Sequence, residues 1–349
     1  MAAYCSNLSK VQYEEALPDG DPRYVDTEAA RGSEKTFAQL ARKFGWDPVS
    51  NAFFAPDEKH VLFFGHIGSG KTTELRRYAG RLNQSRRFYV VEVDVLAKLD
   101  RNNLHYTEAL MAMAQALLER MHADGYTLDD AVLAPVRNWF SSTIRTDTKT
   151  RELSAELKTG VEAGGGIAGL VKLFAGFTSA FKTGSSQKSE WRQEIRNHFT
   201  ALAAAFNHLI RAAEAELKKA GRAERVVLLL DGTDKMRGED TQQFFVQDAE
   251  QLLAIQTLAI YTAPLDLKYD GRLGGKLDAD MVLPMIKLQE RNGSRCEAGW
   301  AALTGLLLHR PALLQYNDGK WRRSHPVVRT LEGYILATVA PAPTAPTAP

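Results

Sequence analysis

Residues 61 to 73 read VLFFGHIGSGKTT, four apolar residues followed by Gly65-x-x-x-x-Gly70-Lys71-Thr72. A buried strand that runs through a glycine-rich loop into a helix leaves successive backbone N–H groups pointing into a concavity. That concavity lies at the positive end of the helix and suits a phosphate. The stretch therefore predicts strand, loop and helix in that order, with Gly65, His66, Ile67, Gly68, Ser69, Gly70, Lys71, Thr72 and Thr73 as the phosphate-contacting set. Glycine is needed at 65, 68 and 70, where the backbone must approach the anion closely or adopt positive φ. Lys71 is expected to reach the terminal phosphates as a point charge. The Thr72 hydroxyl is expected to ligate Mg²⁺, since a triphosphate is handled as its magnesium salt.

Working outward, FYVVEVDV at 88 to 95, RVVLLLDGTD at 225 to 234, LAIYTAP at 258 to 264 and MVLPMIKL at 281 to 288 are short apolar, β-branched or aromatic runs. Each reads as a buried strand. Helical segments lie between them, from about Lys71 to Leu82 and from about Tyr106 to Met121. The clearest helix carries Trp191, Ile195, Phe199, Leu202, Phe206, Leu209, Ala213 and Leu217 at helical spacing, with Gly221 just past its end. Strands alternating with helices predict a three-layer α/β fold around a parallel five-stranded sheet.

Val226 to Leu230 followed by Asp231 places a carboxylate at the carboxyl end of a buried strand, the edge at which open α/β sheets bind ligands. Asp231 is the expected partner of Mg²⁺. Asp234 follows in the turn Gly232-Thr233-Asp234, where it is expected to orient or deprotonate the attacking water in phosphate hydrolysis.

The strand-loop GHIGSGKTTEL at 65 to 75 and LLLDGTDK at 228 to 235 resemble the Walker A and Walker B segments of the AAA+ and STAND group of P-loop ATPases, with the small residue after the first Asp that is typical of NACHT-like proteins. This resemblance implies ATP and Mg²⁺ as cofactors. It also implies a polar sensor of the γ-phosphate at Thr262, a second basic sensor at Arg329 in SHPVVRTL, and adenine contacts from Tyr24 and Val25 ahead of the first strand. Two departures stand out: Gly232 occupies the place of the usual catalytic Glu, and about sixty residues follow Leu288 where STAND proteins continue into a winged helix and a repeat sensor.

The organisation expected along the chain is a lead-in segment at 1–50 and an ATPase core at 51–290 with an insert at about 140–190. A small helical lid at 291–339 and a low-complexity Ala/Pro/Thr tail at 340–349 complete it. The lid is expected to hold helices near Trp300 to Leu308 and Val327 to Leu336. Within the insert, residues 160 to 184 mix glycines with Ile167, Leu170, Phe174, Phe177 and Phe181. Glu162 and Lys172 interrupt this run, so it is expected to contact protein and not to enter a bilayer.

Forty-four basic against 42 acidic residues give a net charge of +2, which provides no global case for nucleic-acid or membrane binding. Cys5 and Cys296 match neither a disulfide framework nor a metal spacing and are expected to be inert thiols. With no apolar signal core and no spanning segment, a cytoplasmic protein is expected. The combined expectation is a Mg²⁺-dependent ATPase switch that self-associates or acts on a partner effector in a bacterial signalling or phage-defence type system. Its rivals are a DNA-associated AAA+ ATPase of initiator or transposition-regulator type and a scaffold that holds ATP without turnover.

Overall fold

The structure, a computed structural model, describes residues 16–100, 104–143, 166–182, 188–236, 238–308, 314–317 and 320–323. The elements run α1 (Glu28–Arg31), α2 (Thr36–Lys43), β1 (Lys59–Phe64), α3 (Lys71–Gln84), β2 (Phe88–Asp94), α4 (Val95–Lys98), α5 (Tyr106–Ala123), α6 (Asp130–Thr143), α7 (Ile167–Lys182), α8 (Lys188–Asn197) and α9 (Phe199–Lys219). They continue with β3 (Arg225–Asp231), α10 (Glu239–Gln242), α11 (Ala249–Leu253), β4 (Leu258–Ala263), β5 (Ala279–Val282), α12 (Glu297–Leu308), β6 (Leu314–Asn317) and β7 (Lys320–Arg323).

The chain forms two compact units, each assembled from separate stretches of sequence: one from 35–71 and 78–283, the other from the described residues of 1–34, 72–77 and 284 onward. The larger unit holds a five-stranded, all-parallel sheet in the order β2-β3-β4-β1-β5. Both faces are covered, which is why the strands read as near-continuous apolar runs. Leu62, Phe64, Tyr89, Val91, Leu228 and Tyr261 join one core cluster with α5, α7 and α9. The opposite face is aromatic: the Tyr78 ring lies 6.3 Å from Phe63 and 5.6 Å from Phe37, and Phe44 lies 6.1 Å from Phe88. Helices on both faces make a three-layer α/β arrangement, as the alternation of strands and helices predicts.

Buried polar groups at the heart of the sheet are matched. His60 is fully buried in β1 with Nδ1 3.0 Å from the Tyr261 hydroxyl and Nε2 3.0 Å from the Ile255 carbonyl. A carbonyl can only accept, so Nε2 carries the proton and Nδ1 accepts from Tyr261. Burial pushes the His60 pKa below its ordinary value.

Of the glycine-rich apolar stretch at 160 to 184, residues 160–165 and 183–184 lie outside the described residues, and Ile167–Lys182 form α7, whose Leu170, Leu173, Phe174, Phe177 and Phe181 are buried. It lies along α5, where the Thr178 hydroxyl donates to Gln115 Oε1 at 2.6 Å, and Trp191 packs edge-on against Phe177 and Phe181 at 5.2 and 5.6 Å. Its apolar face is core, and none of the described helices is long and apolar enough to cross a membrane.

Three expectations need correction. The fifth strand ends at Val282 instead of running to Leu288, because Pro284 has no N–H to continue the ladder beyond Leu283, whose N–H still reaches the Phe64 carbonyl at 2.8 Å. The long helix through Trp191 and Leu217 is two helices, broken at His198, whose carbonyl accepts from the Trp139 indole at 3.3 Å. The expected helical lid contains α12 but also an antiparallel pair, β6 with β7, whose register sets Tyr316 opposite Trp321 and Asn317 opposite Lys320. Asp318-Gly319 between the two runs is a turn signal in the sequence that favours strand pairing over a helix. The expected helix from Val327 to Leu336 and the tail lie outside the described residues.

The smaller unit is organised around Glu74, which is 4% exposed. Its carboxylate accepts from the Tyr24 hydroxyl at 3.2 Å and the Thr27 hydroxyl at 3.2 Å and lies 3.2 Å from the Arg77 guanidinium. Burial, reinforced by the Glu74 charge, holds the Tyr24 phenol well above its ordinary pKa. Val25 lies against Gly305 of α12, where an added Cβ would fall 3.1 Å from Val25 Cγ1. Cys296, in the same unit, is a buried free thiol.

Candidate functional site

Five of the six residues of β1 are buried, and the strand opens at its carboxyl end into the loop 65–70, from which α3 starts at Lys71. Gly68 and Gly70 take φ of +78° and +87°, the left-handed region in which side-chain-bearing residues are strained. Gly65 is required for a different reason: a Cβ there would fall 3.0 Å from Lys71 Cδ and 3.2 Å from Ser69 Oγ. The loop thus bends back over the lysine stem. His66, Ile67 and Gly68 face solvent at its crown, Ile67 being 66% exposed, while Gly65, Ser69 and Lys71 are buried beneath.

Lys71 is 5% exposed and its ammonium has three partners. It donates to the Gly65 carbonyl at 2.9 Å and the His66 carbonyl at 2.8 Å, and it pairs with Asp234 Oδ2 at 2.7 Å. Asp234 is equally enclosed, and its side chain is 6% exposed. It sits in a single 3₁₀ turn, Thr233–Lys235, which follows β3 through Gly232 at φ +92°.

The turn is fastened to β4 through Thr262. The Thr262 hydroxyl accepts from the Gly232 N–H at 3.0 Å and the Asp234 N–H at 3.4 Å and lies 3.2 Å from the Thr233 hydroxyl, which also donates to the Thr262 carbonyl. Thr233 and Thr262 are fully buried. The Thr262 hydroxyl, expected to sense a γ-phosphate, thus accepts from the backbone of the Asp234 turn and keeps its own O–H to donate.

Asp231, half-buried at the last position of β3, stands in register with Asp94 at the last position of β2. The Asp94 carboxylate accepts from the Ala97 N–H at 3.0 Å and caps α4. Among the described residues no group of three or more His, Cys, Asp or Glu side chains could hold a metal. Mg²⁺ in phosphate sites uses one or two carboxylates with substrate oxygens and water.

The larger unit therefore brings the loop 65–71, Asp231, Asp234 and Thr262 to the carboxyl ends of the adjacent strands β1, β4 and β3. Tyr24, Val25, Thr72 and Thr73 belong to the smaller unit, in which the Thr73 hydroxyl accepts from the Leu17 N–H at 3.2 Å. Arg329 lies outside the described residues. Sequence reasoning missed Thr233, the clasp between turn and strand. The available signal was a hydroxyl between two acids, opposite the hydroxyl of IYTAP.

No family model matches this chain, and neither the curated proteins nor the solved structures contain a match.

Proposed function

We propose that this protein binds Mg-ATP at the loop that begins at Gly65 and hydrolyses it slowly, as the nucleotide-dependent switch of a larger signalling or defence assembly. The observation that carries the reading is the enclosed Lys71, held beneath a glycine-rich loop between a buried strand and a helix. Loop N–H groups and the helix N-terminus favour negative charge there. The residues present fit a magnesium triphosphate. Lys71 would bind its terminal oxygens and Asp231 would hold the ion, which supplies charge neutralisation when bound; the Thr72 hydroxyl is the further ligand that the sequence resemblance implies. Asp234 would accept the proton of the attacking water, and Thr262 would position Asp234 through the turn. Use in a bacterial defence or signalling system rests on the sequence resemblance alone.

Calorimetric titration of Mg-ATP into the native chain and into Lys71→Ala tests the reading. Charge-assisted hydrogen bonds contribute about 1.5–3 kcal/mol each, so the substitution is expected to weaken binding about tenfold to a hundredfold. Equal affinity in a folded variant would remove the phosphate reading. A scaffold without turnover is the second reading, favoured by the tie that binds the Asp234 carboxylate to Lys71. Saturable binding with no release of phosphate would select it.

A further inference from the structure

We propose that Asp234 is a built-in stand-in for phosphate on Lys71, so that a nucleotide must displace it, and that this displacement is what frees the carboxylate for the attacking water. The inference rests on the nucleotide reading above and adds the regulation of that site.

An ammonium has three N–H donors and no more. Those of Lys71 go to the carbonyls of Gly65 and His66, at 2.9 and 2.8 Å, and to Asp234 Oδ2 at 2.7 Å. Two of the acceptors are neutral backbone groups fixed by the loop itself. The third is the anion, and its 2.7 Å separation is what a charge-assisted contact with a phosphate oxygen would have. A phosphate on Nζ therefore competes with Asp234 for one donor, and enclosure of both partners makes shared occupancy by two anions unfavourable. Lysine suits such an exchange, being a point charge on a flexible stem and not a planar fork that matches one partner.

The Asp234 side chain can also leave Lys71 without its turn moving. Its turn is three residues long, begins at a glycine with positive φ, and is anchored through backbone N–H groups and the Thr233 hydroxyl to Thr262. That anchor involves no atom of the Asp234 side chain. Loss of Lys71 as counter-ion therefore leaves the turn in place and the carboxylate without its cation, beside the nucleotide that displaced it. Binding and arming of the base become one event, and part of the binding energy is taken up in separating the pair.

The test is calorimetric titration with a non-hydrolysable Mg-ATP analogue of the native chain, Asp234→Asn, Lys71→Met and the double variant. The amide introduced by Asp234→Asn keeps the shape of the carboxylate but offers Lys71 only a neutral oxygen, so this variant is expected to bind about tenfold more tightly than the native chain. That gain is expected to vanish in the Lys71→Met background. An unchanged or weaker affinity in Asp234→Asn overturns the exchange. A gain that persists without Lys71 also overturns it, since that reports plain charge repulsion. Absence of binding by every form overturns the nucleotide reading as well, whereas native binding without a gain overturns this inference alone. Hydrogen exchange on the native chain covers the case of a variant that does not fold. Amides of 232 and 234, held by Thr262 and not by the Asp234 side chain, are expected to keep their protection when the analogue binds, and faster exchange there overturns the proposal.

Discussion

Lys71–Asp234 and Arg192–Glu108 are both nearly closed to solvent, with side-chain exposures of 5% and 6% against 11% and 2%. They are built for different ends. Glu108 lies within α5 and takes both Nε and a terminal nitrogen of Arg192 on Oε1, while its other oxygen accepts from the Thr107 hydroxyl at 2.5 Å. Arg192 comes from α8, so the pair joins two helices through a planar guanidinium that places two donors on one carboxylate oxygen. Lys71 and Asp234 instead sit at a loop end and on a single turn at the open end of the sheet, and the cation is a flexible point charge. The first pair fixes packing; the second has an anionic member that a ligand can replace. Burial alone does not distinguish a structural ion pair from an exchangeable one, whereas the elements that carry the partners do.

The largest expected effect comes from breaking the fixed pair. Arg192→Met leaves Glu108 buried and uncompensated between helices, and removal of one partner of such a pair costs about 3–5 kcal/mol. Urea unfolding would show this as a lower midpoint with little change of slope. The double variant Glu108→Leu with Arg192→Met is expected to recover most of the loss, because an apolar pair of similar volume needs no desolvated charge. A single variant as stable as the native chain would erase the contrast between the two pairs.

A smaller effect sharpens the contrast with a buried group that has no charge at neutral pH. His60 is neutral in the folded chain, its pKa lowered by burial. A histidine whose folded pKa is depressed binds its proton in the unfolded chain first. Stability is therefore full above the ordinary histidine range and declines as pH falls through that range toward the folded value, by at most about 1.4 kcal/mol per pH unit for one proton. Chemical unfolding between neutral and mildly acid pH should show the native chain losing more stability than His60→Phe. Parallel losses would mean that His60 is not the group responsible.

The sheet was legible because its strands are short apolar runs ending in turn residues, and the loop because a glycine pattern with Lys and Thr admits few other structures. The placement of Lys71, Asp231 and Asp234 at the carboxyl ends of strands was legible residue by residue, since apolar runs ending in a glycine loop or an acid show in one dimension. Their pairing was not. That Asp234 meets Lys71 depends on the 3₁₀ turn after Gly232, and that Thr262 serves the turn depends on β3 lying beside β4. Parallel-strand order is non-local and leaves no periodicity to read. The apolar stretch around α7 was ambiguous for the same reason: its periodicity marks a buried face but not what buries it, and α5 and Trp191 supply the answer.

A ligand bound through Lys71 should add to the stability of the folded chain. Thermal or denaturant unfolding of the native chain and of Lys71→Ala, with and without a non-hydrolysable Mg-ATP analogue, measures this. At a ligand concentration about a hundredfold above the native dissociation constant, linkage predicts about 2.7 kcal/mol of added stability for the native chain. The variant, with weaker affinity, is expected to gain about half of that or less at the same concentration. An equal gain in both proteins would mean that Lys71 does not hold the ligand, and none in the native chain would mean that the fold does not bind it.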